Sequence, residues 1–500
     1  MHVLVLLFVV TLSLFASTLQ LATSSNPARL NPLLATDSSS AEITGFIFNG
    51  LVKYDKDSKK IIGDLAESFS FKNKTTLLFH LRHNVKWQDG AAFSAKDVLF
   101  TYKTLISDKI ASPYSAGFRF VKDVKALDDY TVEVDYKEPY FKALETWMMG
   151  ILPEHLLKNE KNMMNSSFNT HPIGTGPYRL TQLELSKNIE LTAFDEYFEG
   201  RPKIDKISFH VIADPMTRLL MLKNAELDIG SIEPLVLQRQ LGKDFFQKFN
   251  IYEKISLSYT YLGFNLRRKK FQDPRVREAL SLAINRQELV DILFFKHAKV
   301  CSGPFLPGSA AFNPDVKVPR QNIAKAKALL RAAGYDAKHP FRFEIVTSNA
   351  SSIRPYAAEI LQYQLKKAGV EVKLRVMEWQ AFLNMVVFPH KFDAVLLGWG
   401  LSPTPDPYLF WDSASDKAGG FNLVGYHNKK LDALIAQSQK IIDRKKLGAL
   451  WRKMFAMIVK DNPYLFLYIP NSITAVNKNI KHIEPALGGI WYNYITWEKE

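Results

Sequence analysis

The chain has 500 residues, an apolar fraction of 47% and a formal net charge of +15. That length calls for two or three domains, and the composition supports sizeable cores, which excludes a disordered or low-complexity chain. Lysine and arginine are scattered, with the densest run LRRKK at 266–270 and no recognition motif beside it, so no nucleic-acid partner is expected.

Residues 3–16, VLVLLFVVTLSLFA, form an apolar run of 14 residues. A membrane span needs about 20, so the run fits the core of a signal peptide over 1–16, with cleavage after Ala16. The sole cysteine is Cys301, which leaves no internal disulfide. With no cysteine near residue 17 there is also no lipoprotein anchor, and a soluble exported protein is expected.

Residues 18–22 alternate like a strand, and Ser38, Ser39 or Ser40 is placed to cap a helix over 41–48. A strand is expected over 76–87, then a helix over 95–106 capped by Ser94, then a strand over 131–136. The Gly/Pro-rich 171–184 segment feeds a strand, and 188–194 and 206–212 alternate as two more. A helix opens at Pro215 and runs into a short strand, and 259–266 is a further strand. One helix is expected over 275–294.

The second half alternates helices and strands. Apolar spacing predicts a helix over 322–334 that stops at Gly334. Strands at 341–348, 370–377 and 392–399 surround a helix over 357–369. A long helix carries Leu447, Leu450, Trp451, Met454, Phe455 and Ile458 on one stripe, and 464–470 is a last core strand. The class is α/β with mixed sheets.

Four stretches carry a resemblance: FHLRHNVKWQDGAAFSAKDVLFTYK, PIGTGPYRL, YLGFNLRRKKFQDPRVREALSLAINRQEL and AKALLRAAGYD. In this order they resemble the extracytoplasmic solute-binding proteins of peptide and nickel ABC importers, family 5. The resemblance implies a type II periplasmic-binding fold with an extra domain, in which two lobes joined by two crossing segments close on a ligand. It places domain I at 17–48, 184–264 and 476–500, the extra domain II at 49–183 and domain III at 265–475. It implies a periplasmic, monomeric, non-enzymatic receptor without a cofactor. The receptor would take short peptides and hand them to an inner-membrane ABC permease.

A peptide presents an ammonium, a carboxylate, backbone amides and variable side chains. Strand-like pairing, charged anchors and aromatic walls satisfy these without reading sequence. By resemblance, Trp399 opens the ligand loop WGLSPTPDPYLFW at 399–411, Trp379 is a second wall, and Tyr114 faces the cleft from the extra domain. The segment Ser38, Ser39 and Ser40 matches a domain I edge that pairs with peptide backbone. Arg354 is a candidate for a ligand carboxylate.

The loop departs from the family pattern. The ammonium-holding aspartate of the relatives lies four residues before the loop's proline, and counting back from Pro407 gives Pro403. Either Asp406 takes over that role or the ligand has no free ammonium there. Taken alone, Trp379, Trp399 and Trp411 read as core, Asp406 as a turn acid and Arg354 as a solvated helix start.

The chain has no GxSxG and no HExxH, and His80 and His83 fall on opposite faces of a strand, which weakens a hydrolase reading. The alternative cargo is a nickel chelate, for which His482 and His427, with His390, are the candidate ligands.

Overall fold

The structure, a computed structural model, describes residues 17–500 apart from 58, 59, 109, 352, 487 and 488. The expected signal segment lies outside the described residues.

Strand Thr18–Thr23 buries alternate side chains and pairs in parallel with Lys206–Val211. Asn188–Ala193 and Tyr178–Glu184 extend this sheet antiparallel. Helix Ser38–Ile47 packs on it through Ile43, Phe46 and Ile47. The cap of that helix is Asp37, whose carboxylate accepts from the backbone N–H of Ser40. The three serines therefore occupy the first helical turn. The expected cap was displaced because an aspartate one residue earlier can reach the third free N–H.

Residues 66–136 build a second sheet, antiparallel, in the order Ala66–Phe71, Thr76–Leu81, Thr131–Tyr136 and Val121–Asp128. Strand Thr76–Leu81 is shorter than the expected 76–87. Helix Ala95–Leu105 covers this sheet and starts in a full capping box between Ser94 and Asp97, as the sequence indicates.

The largest sheet runs Ile229–Ser231, Tyr464–Asn477, Ser258–Phe264, Ala394–Gly400, Arg342–Ser348 and Glu371–Met377. Its last two strands and Ala394–Gly400 are parallel, joined through helices such as Ile353–Lys367. Helix Ile323–Ala332 stops before Gly334, whose φ of +91° suits a residue without a Cβ. The single helix expected over 275–294 is two, Pro274–Ala283 and Arg286–Phe294. The backbone turns extended at Ile284, and Asn285 caps the second helix by accepting from Glu288 N at 3.1 Å.

Strand Tyr464–Asn477 is shared. Its first half pairs with Ser258–Phe264 and its second half with Phe249–Ile255. The chain thus passes between the two halves at 470–472 and at 255–258. Strand Ser258–Phe264, which the resemblance places in domain I, is hydrogen-bonded to Ala394–Gly400.

Candidate ligand-binding cleft

A cavity of about 1240 Å³ lies between the sheet of the first strands and the large sheet. Both crossings line it through Ser256, Leu257 and Asn471, so the joints form part of its wall. Its volume exceeds the roughly 300–1,000 Å³ of sites for single small molecules.

The two halves touch around the cavity. From the large-sheet side, Gln380 donates through Nε2 to the Asn26 carbonyl at 3.2 Å and to Asp37 at 3.5 Å. The Tyr54 hydroxyl donates to Thr404 at 3.3 Å. Lys440 pairs with Glu138 at 2.7 Å, and Arg119 donates to Gln439 while its guanidinium lies over the Tyr408 ring.

The loop after strand Ala394–Gly400 is a wall: Trp399, Leu401, Pro403, Pro405 and Asp406 all line the cavity. Of the eight tryptophans, Trp87, Trp147, Trp411, Trp451 and Trp497 are fully buried. Trp379 and Trp399 remain part-exposed and face the cavity. Trp399 is fixed by Phe410 and Phe421, with ring centres at 4.8 and 5.3 Å, and its Nε1–H donates to the Tyr464 hydroxyl at 3.3 Å. Trp411 takes the core role that the sequence reading alone assigns it.

Arg354 stands at the start of helix Ile353–Lys367, with its guanidinium 5.7 Å from the centre of the Trp379 ring. Burial lowers its pKa, partly offset by Tyr468 and Tyr261. Among the described residues no carboxylate pairs with it. The Trp379 Nε1–H is likewise buried without a partner. Tyr114 lines the opposite wall, and its hydroxyl donates to the Ala35 carbonyl at 2.9 Å. Burial and the nearby Asp37 push that hydroxyl up to about 12.

Ser38 lines the cavity, but Ser39 and Ser40 face the fold. The Ser39 hydroxyl bonds to Thr23 and Ser25, and the Ser40 hydroxyl donates to Asp37 at 2.6 Å. The expected backbone-pairing edge is helical from Ser38 onward, so extended geometry there ends at Asp37. Asp406 lines the cavity while capping the short helix Pro407–Trp411, accepting from Tyr408 N at 3.1 Å.

None of the three histidines lines the cavity, and His390 and His427 both lie near Asp416. His427 pairs with Asp416 at 2.8 Å, His482 is 3.6 Å from Glu498, and burial, with nearby Arg267, lowers the pKa of His390. Among the described residues no histidine lines the cavity, and no group of three or more His, Cys, Asp or Glu is placed to hold a metal.

Two part-sheets joined by two crossings around a lined cavity are matched in known proteins. The family model for bacterial extracellular solute-binding proteins, family 5, covers residues 60–421. The chain belongs to this family. It is similar to the oligopeptide-binding protein AppA of Bacillus subtilis, with 31% identity over 94% of this chain and 89% of that protein. The structure of AppA in complex with a nonapeptide superposes with a TM-score of 0.91, covering 97% of this chain and 99% of that one at 29% identity. NikZ from Campylobacter jejuni in complex with Ni(L-His) gives 0.87 at 28% identity, covering 96% and 99%. DppA from Helicobacter pylori in complex with the peptide STSA gives 0.86 at 26%, covering 97% and 98%. The type II periplasmic-binding fold expected from the sequence is the fold of this protein.

Sequence reasoning missed Lys142 on the extra-domain wall and the cavity-lining crossings at 255–258 and 470–472. No local pattern marks them; only the tertiary arrangement brings them to the cavity.

Proposed function

We propose that this protein is an exported receptor that captures short peptides between its lobes and delivers them to an inner-membrane ABC importer. The observation that carries this reading is the interlobe cavity, walled by Trp379 and Trp399 and holding Arg354, which pairs with no carboxylate among the described residues. Its likeness to AppA bound to a nonapeptide supports peptide as the cargo.

In this reading Arg354 takes the terminal carboxylate, because a charge-assisted bond in a secluded site is worth more than one in water. Trp379, Trp399 and Tyr114 supply apolar area at small entropic cost. The receptor works by closure rather than catalysis: ligand that touches both lobes favours the closed state, which the permease senses. Residues 1–16 direct export to the periplasm, and the receptor acts as a monomer. Domain II is 49–183 with lobe one at 17–48, 184–255 and 472–500, and lobe two spans 258–470. The change of partner along strand Tyr464–Asn477, from Ser258–Phe264 to Phe249–Ile255, supports crossings near 255–258 and 470–472 in place of the expected 264 and 475.

A second reading, a nickel–chelate cargo, is supported by the likeness to NikZ in complex with Ni(L-His). With no described histidine on the cavity wall, the chelator itself would have to bring the imidazole.

Native mass spectrometry of the gently purified protein, followed by release of its cargo, tests both. A mixture of short peptides supports the peptide receptor. Nickel with a histidine-like chelator and no peptide overturns it.

A further inference from the structure

The charged groups on the cavity wall divide unequally into those already engaged and those left free. Every wall carboxylate has a protein partner. Asp37 accepts from Ser40 through both its oxygens, Asp406 accepts from Tyr408 N, and Asp57 and Glu233 are also engaged. Among the wall cations, Arg218 is held by the carbonyls of Ile212, Ala213 and Ala350. Arg354, which lies over the Trp379 ring, and Lys142 are left without a side-chain hydrogen bond or ion pair among the described residues.

Lys142 lines the cavity from the extra domain, half-buried, and among the described residues its Nζ makes no hydrogen bond or ion pair. Arg354 is on the other lobe. Two cations that line one cavity from different domains, neither paired with a carboxylate among the described residues, are placed to meet anionic groups of a ligand.

We propose that the cargo is an acidic peptide, whose terminal carboxylate meets Arg354 and whose second anionic group meets Lys142. This rests on the peptide reading above. Lys142 is then a specificity residue: it decides which peptides are retained, while the aromatic walls and Arg354 hold any of them. One neighbouring acid points the other way. Glu42 lies one helical turn beyond Ser38 and has no partner among the described residues, so it is the rival site for a cationic group.

The test is competition for the full-length receptor, freed of cargo, by an equimolar mixture of acidic, neutral and basic peptides of two to nine residues. Captured peptides are identified by mass spectrometry and the best binders titrated calorimetrically. The expected result is at least tenfold enrichment of peptides containing Asp or Glu. Lys142→Met should abolish that enrichment, leave neutral peptides within about twofold and preserve the melting temperature, while Lys142→Arg retains it. Equal capture of all three classes overturns the inference but leaves the peptide receptor standing. Enrichment of basic peptides that is lost in Glu42→Gln overturns it in favour of Glu42. Capture of no peptide removes the peptide reading and this inference with it.

Discussion

The guanidinium of Arg354 lies over the indole of Trp379, 5.7 Å from charge to ring centre, on the wall of the interlobe cavity. Among the described residues the guanidinium makes no hydrogen bond or ion pair, so it can donate to a ligand. Arg354→Met is expected to weaken peptide binding about 10- to 100-fold, the range for losing a charged hydrogen bond. Trp379→Ala should weaken it too. The double variant should fall short of the summed effects by about 0.5–2 kcal/mol, the worth of a cation–π contact. Calorimetric titration of the four proteins with one peptide checks this; strict additivity would mean that the pair does not act together.

Ser40 and Asp37 belong to the fold. The Ser40 hydroxyl is buried, donates to Asp37 at 2.6 Å and accepts from Ala28 N at 2.8 Å. Ser40→Ala is therefore expected to cost about 1–3 kcal/mol of stability by leaving buried partners unsatisfied. Peptide affinity of the folded fraction should hold. Chemical denaturation alongside titration separates the two.

Glu42 gives a pH signature. Solvent still reaches its side chain, yet the crowded surroundings desolvate it and push its carboxyl up from 4.5 to about 7. A carboxyl whose folded value is raised binds its proton more tightly in the folded state. Its contribution to stability is then full below 4.5 and is lost as pH rises through about 7. Glu42→Gln should raise the melting temperature more at pH 8 than at pH 5. An equal shift at both would place Glu42 in an open, solvated setting.

Closure has its own handle in Arg119, which reaches from the extra domain to Gln439 and Tyr408 on the opposite lobe. Arg119→Ala is expected to shift the population toward the open form. Small-angle scattering should report a larger radius of gyration without ligand, and the apparent Kd should rise. An unchanged radius and Kd would assign the contact no part in closure.

Much of the fold was legible because apolar periodicity is local: strands 188–193, 206–211 and 394–400 and the capping box at Ser94 could be read directly. The break at Ile284 was not read, although Asn285 followed by Glu288 carries a capping spacing; the apolar stripe runs through it and hides it. Trp379, Trp399 and Trp411 all border the cavity, but Trp411 is fully buried and the other two stay part-exposed, a difference that composition cannot carry. Ser39 and Ser40 were drawn into the fold by one aspartate. Lys142 was invisible because a lone lysine near a turn means solvent until a second lobe faces it.

The shared strand Tyr464–Asn477 sets the order in which the molecule can be completed. Its second half finishes the sheet that holds Ile229–Ser231 and Phe249–Ile255, and Lys499 bonds the Thr18 carbonyl at 2.7 Å and Asp228 at 2.6 Å. The lobe that begins the polypeptide is therefore finished by its last residues, whereas domains usually mature in the order they are synthesised. That lobe is therefore incomplete until strand Tyr464–Asn477 and Lys499 have joined it.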